Sequence, residues 1–269
     1  MLFKILSRLL SRSRAQKAFN NVYRVANNSQ QFYKYCNQVH KLPILQFNTL
    51  SPQQLNYLID QLNLSNTVNL LDIGCGNGEI LNYIAEKYQV NATGIDFIDI
   101  DIVKNRDSIS YHQVDIQQKG SLSNLAKIEP KSFSRIMAID SMYGLISPYE
   151  TLKEITKLLC SKDKESCVFV FSYSLFRIQN NALENTPLGQ ALNKICKENP
   201  QLSYKTKDFT DNDFEFWQSA HQALEEMGGE FEFGEDYALW HIKRREVDQH
   251  LKAHKDQRIR KLIITVHKE

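Results

Sequence analysis

Three glycines at alternate positions, Gly74, Gly76 and Gly78, follow an aspartate, Asp72, and this spacing carries the clearest chemistry in the chain. Glycine has no Cβ, so such a turn can take positive φ and let the backbone approach a ligand closely. A pyrophosphate loop reads G-x-G-x-x-G. Here the order is G-x-G-x-G with Cys75 inside it, and a carboxylate two residues upstream suits an ammonium group better than two phosphates. Asp96 lies 18 residues beyond Gly78, next to Phe97. An acid at that distance can accept hydrogen bonds from ribose hydroxyls. Asp115 and Asp140 end two further apolar runs, and Asp140 opens the step Asp140-Ser141-Met142-Tyr143.

The elements that must position these residues follow a repeating pattern. Val68, Leu70 and Leu71 precede Asp72, and a helical spacing starts directly after the glycines with Ile80, Leu81, Ile84 and Tyr88. Strands are expected over Val90–Phe97, Ile109–Ile116, Arg135–Asp140 and Cys167–Ser172, the last so continuously apolar that both faces should be covered. Strand and helix in alternation predict a doubly wound parallel sheet. Ligands of such sheets sit outside the carboxyl ends of the strands, where all four aspartates fall. The link Ile98–Ser108 is short for a crossover, so an abbreviated helix is expected there. Ser51-Pro52-Gln53-Gln54 and Ser147-Pro148-Tyr149-Glu150 read as helix starts, each with proline at the first helical position. A polar turn over Ser161–Ser166 leads into the fifth strand. Beyond Tyr173 the pattern changes to a helix around Leu188–Lys197, a strand over Leu202–Thr206 and a helix that opens at Phe209-Thr210-Asp211 and carries Trp217. A charged helical segment around Trp240–His254 and a closing strand over Arg260–His267 complete the chain.

The stretch from Asp72 to Gly78 resembles motif I of the class I S-adenosylmethionine-dependent methyltransferases, and the likeness covers roughly residues 66–173. It implies a seven-stranded, mostly parallel, Rossmann-like sheet with a helical cap, and an antiparallel closing strand. It also implies S-adenosyl-L-methionine as cofactor, held at its methionine end by Asp72 and the loop. Asp96 and Phe97 would then serve the ribose side, and Asp115 and the Ile116 N–H the adenine. Asp140 and Ser141 would stand nearest the reaction centre, with Asp140 orienting an amine and Tyr143 lining the path of the methyl group. Tyr33-x-Tyr35-Cys36 and Gln46-Phe47-Asn48 resemble the pre-core cover of small-molecule methyltransferases, which makes Tyr33 and Gln46 cofactor contacts. Tyr143, Tyr173, Phe209 and Trp217 are the expected acceptor contacts, the last two by cation–π closure. His112, His221 and His241 are candidate bases.

The resemblance divides the chain into an N-terminal helical segment covering the cofactor (1–62), a core (63–175 and 255–269) and a strand with a helical cap (176–254). The acceptor it implies is a small molecule, with an amine nitrogen first and oxygen or carbon second. Asp-Ser-x-Tyr differs from the Asn/Asp-Pro-Pro-Tyr step of nucleic-acid methyltransferases, which argues against a nucleic-acid substrate. A dinucleotide-dependent oxidoreductase and a non-catalytic S-adenosylmethionine-binding module are the competing readings. Five cysteines without a C-x-x-C pair suggest a reduced, cytoplasmic setting and no metal site. No apolar run approaches the ~20 residues that cross a bilayer. Charge is uneven: net charge is +2, yet no acid precedes Asp60 while eight Lys and Arg do. MLFKILSRLLSRSR at the start of the chain could therefore form a basic amphipathic helix with peripheral membrane contact or a transit peptide, and a helix packed on the body of the protein is favoured over both. Oligomeric state is not legible.

Overall fold

A computed structural model describes residues 12–103, 109–128, 133–143, 145–159, 167–176, 182–231 and 236–269. Most of the amphipathic N-terminal stretch and the Ser161–Ser166 turn lie outside them. The order is α1 (Arg12–Asn28), α2 (Gln30–His40), α3 (Pro52–Leu62), β1 (Asn69–Ile73), α4 (Glu79–Tyr88), β2 (Asn91–Asp96), β3 (Ile109–Gln113) and α5 (Ser121–Ile128). It continues with β4 (Arg135–Ala138), α6 (Pro148–Leu158), β5 (Cys167–Phe176), α7 (Pro187–Glu198), β6 (Leu202–Asp208), α8 (Thr210–Glu226), α9 (Asp236–Lys255) and β7 (Ile259–Lys268). In the short link after β2 the described part holds one 3-10 turn, Ile100–Ile102.

The strands form one sheet in the order β3-β2-β1-β4-β5-β7-β6. Pairings from β3 across to β5 are parallel, and β7 runs antiparallel to both β5 and β6. This is the seven-stranded Rossmann-like sheet expected. The order reverses at β1, and the crevice beyond the tips of β1 and β4 is where such sheets bind ligands.

Successive strand residues point to opposite faces, so the apolar strands feed two cores. Leu71, Ile73, Ile136, Phe169 and Phe171 pack with α5, α6 and α7. Leu70, Met137, Val168 and Val170 pack with α3 and α4. Each fully buried side chain of this kind contributes about 1.5–3 kcal/mol relative to exposure. A third cluster joins the N-terminal helices to the cap, through Phe32, Tyr35, Cys36, Phe216, Trp217 and Val247.

Two helix starts matter for the site. At α3 the capping box is complete: the Ser51 hydroxyl accepts from Gln54 N at 3.1 Å, and Gln54 Oε1 accepts from Ser51 N at 3.2 Å. This fixes the direction in which residues 45–49 enter the crevice. At α6 the proline sits at the start as expected, but Ser147 makes no side-chain cap bond.

Candidate active site

The glycine turn is built by its neighbours. Gly74 has φ +80°, and a Cβ on it would fall 2.4 Å from Ser141 Cβ. Ser141 itself donates its hydroxyl to Ile73 O at 2.6 Å, so the tips of β1 and β4 are clamped together. Gly76 has φ +56° and faces the Tyr23 hydroxyl of α1, 2.6 Å from where its Cβ would stand. Its N–H donates to Asp96 Oδ2 at 2.9 Å, while Asp96 Oδ1 accepts from Ile98 N at 3.2 Å. Asp72, Gly74, Cys75, Gly76, Asp96 and Phe97 line one wall of a cavity. Gly78 does not line it; the space beside Gly78 is filled by Tyr111 and Val103.

Four buried polar atoms of cavity-lining residues have no hydrogen-bond partner among the described residues, and two of them belong to β1 and to the stretch before α3. These two are Asp72 Oδ1 and Gln46 Nε2. Asp72 is 3 % exposed, and burial, with Asp96 second, pushes its carboxyl up to about 8. The orientation of Gln46 follows from its amide oxygen, Oε1, which accepts from Asn48 Nδ2 at 3.2 Å. A buried unsatisfied group costs about 1–3 kcal/mol. One unpartnered carboxylate oxygen and one unpartnered amide donor match a ligand end that carries both an ammonium and a carboxylate.

At the far end of the same wall the cavity is apolar. Phe97 and Ile116 line it, and Phe19 of α1 meets Phe97 edge-on at 5.0 Å. The Arg12 guanidinium lies 4.4 Å from the centre of the Phe97 ring. It also pairs with the Asp115 carboxylate. Asp115 is therefore not on the cavity wall. Strand β3 ends at Gln113, two residues before Asp115, and the Asp115 carboxylate is taken by Arg12 instead of lining the cavity.

At the acceptor end, the structure changes the role expected of Asp140. The residue adopts φ +50°, in the left-handed region that Asp tolerates better than most residues. Its carboxylate accepts from Thr49 N and Thr49 Oγ1, both at 2.6 Å, and from Ser172 Oγ at 2.8 Å. Lys261, fully buried on β7, pairs with it at 3.0 Å and also donates to Thr49 Oγ1 at 2.8 Å. Burial opposes ionisation, but Lys261, Thr49 and Tyr143 outweigh it and hold the carboxyl below the usual range. With its lone pairs taken, Asp140 braces the site rather than orienting an amine.

The other predicted residues divide. Tyr143 lines the cavity and is hydrogen-bonded to Asp140. Tyr173 sits behind it, with ring centres 6.1 Å apart, and is not on the wall. Phe209 packs on Tyr57 in the sheet-face core, at 5.2 Å. Trp217 is buried, stacks on His250 at 3.9 Å and donates to Asp213 at 3.1 Å, so it closes over no ligand. Tyr33 is exposed and donates to Pro43 O at 3.1 Å, and Tyr23 rather than Tyr33 lines the cavity. None of His112, His221 and His241 reaches the cavity, whereas His250 does. Sequence spacing gave no sign of Tyr23, Arg12, Thr49, Lys261 or His250. A lysine in a closing strand and a histidine four residues from Glu246 on a cap helix were the only signals available.

Among the described residues no group of His, Cys, Asp and Glu could hold a metal ion, and no helix is long and apolar enough to cross a membrane.

Solved structures of known proteins share this fold. The cyclopropane synthase MmaA2 of Mycobacterium tuberculosis is similar over 93% of this chain and 98% of its own, with 12% identity and a TM-score of 0.65. The mycolic acid cyclopropane synthase CmaA1, solved with S-adenosylhomocysteine and CTAB, matches 93% of this chain and 98% of its own, with 14% identity and a TM-score of 0.63. Haemonchus contortus phosphoethanolamine N-methyltransferase 2, solved with S-adenosyl-L-methionine, matches over 99% of this chain and 60% of its own, with 12% identity and a TM-score of 0.67. A search of curated proteins found no match. The family model for mycolic acid cyclopropane synthetase matches residues 17–154, about half of the sequence, from within α1 to beyond the tip of β4. The chain belongs to that family of S-adenosylmethionine-dependent class I methyltransferases.

Proposed function

We propose that the protein transfers a methyl group from S-adenosyl-L-methionine to a small-molecule acceptor bound under the helical cap. The observation that carries this is the pair of unpartnered atoms, Asp72 Oδ1 and Gln46 Nε2, on residues that line one cavity. An amino-acid end satisfies both at once; a pyrophosphate brings no cation to Asp72 and would oppose its ionisation. The solved structures with S-adenosylmethionine or its demethylated product support the same cofactor.

In this reading Asp72 and Gln46 hold the methionine end and Asp96 the ribose. Phe97 and Ile116 flank the base, with Arg12 and Phe19 closing it from α1. The cofactor supplies an electrophilic methyl group, so the chain's own work is alignment and exclusion of water; positioning can supply ~7–11 kcal/mol. Tyr143, fixed by Asp140, sets one side of the path. The Asp140–Lys261–Thr49 network keeps β4, β7 and the entry to α3 in register around it. An amine nitrogen and a hydroxyl oxygen are both open as nucleophile, but a saturated Asp140 gives an amine no anchor there.

The test is calorimetry with S-adenosylhomocysteine and with NAD. S-adenosylhomocysteine should bind and NAD should not, and Asp96→Ala should weaken binding by ~1.5–3 kcal/mol for the lost charge-assisted hydrogen bonds. Preference for NAD, or unchanged affinity in the variant, would overturn the assignment.

A further inference from the structure

The buried face of α9 is unusual for a cap helix. Besides Leu239 and Val247 it carries Lys243, Glu246 and His250, all nearly inaccessible. Most of the charge near the cavity is matched within the protein. Lys243 pairs with Glu246 at 2.9 Å, Lys261 with Asp140 at 3.0 Å, and His254 with Asp213 at 2.8 Å. Two polar atoms that line this end of the cavity are not matched. His250 Nδ1 and Ser174 Oγ are buried, line the cavity and have no hydrogen-bond partner among the described residues.

Strand geometry brings the two to one place. Ser172, Ser174 and Phe176 alternate along β5 and so share a face. Ser172 bonds Asp140 at one end of that row, and Phe176 meets the His250 ring edge-on at 5.0 Å at the other. Ser174 stands between them, opposite Lys261 on β7. Trp217 fixes the imidazole from behind by stacking at 3.9 Å.

We propose that His250 is a catalytic residue that accepts the acceptor's proton at Nδ1, with Ser174 hydrogen-bonding the same group, and that the acceptor is a neutral hydroxyl compound with an apolar body. This rests on the methyltransferase reading. The acceptor oxygen forms its bond to the methyl carbon as the carbon–sulfur bond breaks and sulfur keeps the electron pair. The hydroxyl proton passes to Nδ1. With Nδ1 as acceptor the ring proton sits on Nε2. Burial, Lys261 and His254 keep the ring neutral at physiological pH against the opposing pull of Asp140. Glu246 is engaged by Lys243, and Asp213 by Trp217 and His254. The carboxylates that line this end of the cavity, Glu246 and Asp140, are each paired with a lysine, and Asp213, which keeps one oxygen without a partner among the described residues, does not line it.

The test uses the full chain labelled with 15N-histidine and saturated with S-adenosylhomocysteine. Phenol serves as the hydroxyl probe and toluene as its isostere without a donor. Phenol should shift the His250 Nδ1 resonance and toluene should not. Ser174→Ala should weaken phenol binding about fivefold, the value of one ordinary hydrogen bond, and His250→Phe by tenfold or more, with S-adenosylhomocysteine affinity unchanged in both. An unmoved Nδ1 signal in the wild-type chain at saturating phenol overturns the proposal whether or not the variants fold. Equal binding of phenol and toluene also overturns it. Failure of S-adenosylhomocysteine to bind would instead remove the cofactor reading on which it rests.

Discussion

A carboxylate kept out of water with one oxygen unpartnered works against folding, and Asp72 is such a group. Its folded value of about 8 lies above the ordinary ~3.9. For a carboxyl raised in this direction, stability is fully present below the unfolded value and is lost as pH rises towards the folded one. Asp72→Asn removes that cost. The free variant should be more stable than wild type at pH 8–9, by ~1 kcal/mol or more, which is about 2–4 °C in Tm for a chain of this size. The same change should weaken S-adenosylhomocysteine binding at least tenfold, because the ammonium loses its counter-charge. Thermal melts at pH 6 and pH 9, with and without the ligand, read both effects; a variant less stable than wild type at pH 9 would contradict the burial argument. Ligand binding should also release a proton at pH 7, as Asp72 changes from neutral to ionised, and calorimetry in two buffers of different ionisation enthalpy measures it. Residues of this kind were legible in the sequence because one turn fixes their spacing. Asp72, Gly74, Gly76 and Asp96 fall within 25 residues. His250 and Arg12 come from helices remote in sequence, and which face of those helices points inward is decided by packing, not by local pattern.

Elements show the same division. The apolar runs marked every strand, but their ends depend on partners. β5 extends to Phe176 instead of stopping at Ser172, because β7 pairs with it along its full length, from Cys167 opposite Lys268 to Phe176 opposite Ile259. That extension places Ser174 and Phe176 in the site. β7 contributes Lys261 in turn, and its ion pair with Asp140 joins two strand ends to the start of α3. Removing one partner of a buried pair costs about 3–5 kcal/mol, because a charge is left uncompensated. Lys261→Met should therefore destabilise the chain by that amount, and Asp140→Asn in the same background should recover part of it. Denaturant unfolding of the two single variants and the double variant gives the coupling, and strict additivity would show that the pair acts separately. Asp140 is depressed in the folded state. Its contribution is present above the ordinary carboxyl range and is lost only as pH falls through its lower folded value. A lysine inside an amphipathic closing strand reads as a solvent-facing residue, so this part of the site was invisible before the fold was known.

At the scale of the molecule, two arginines of the basic N-terminal region find their counter-charge within the protein. Arg12 pairs with Asp115, and Arg24 with Asp99 and Asp101. Further polar contacts fasten α1 to the edge of the sheet: Gln16 Nε2 donates to Phe97 O at 2.8 Å, Asn20 Oδ1 accepts from Asp99 N at 3.1 Å, and Asn27 Nδ2 donates to Ile102 O at 2.9 Å. Few of α1's residues are buried: Ala15, Asn20 and Ala26. An element held mainly by surface polar contacts opens at lower free energy than core strands do. Its position over Phe97 and the glycine turn puts that low-cost opening where a cofactor must enter. Hydrogen exchange should therefore find the amides of α1 faster than those of β1 and β4, and S-adenosylhomocysteine should protect α1 most. Arg12→Ala removes the pair with Asp115 and the cation above Phe97, and should raise the ligand's dissociation rate by about tenfold while leaving the melting point of the free chain nearly unchanged. Because the contacts are ionic and partly exposed, wild-type dissociation should quicken with salt and the variant's should respond less. Equal exchange in α1 and the central strands would mean that the helix is part of the rigid core and that the cofactor enters elsewhere.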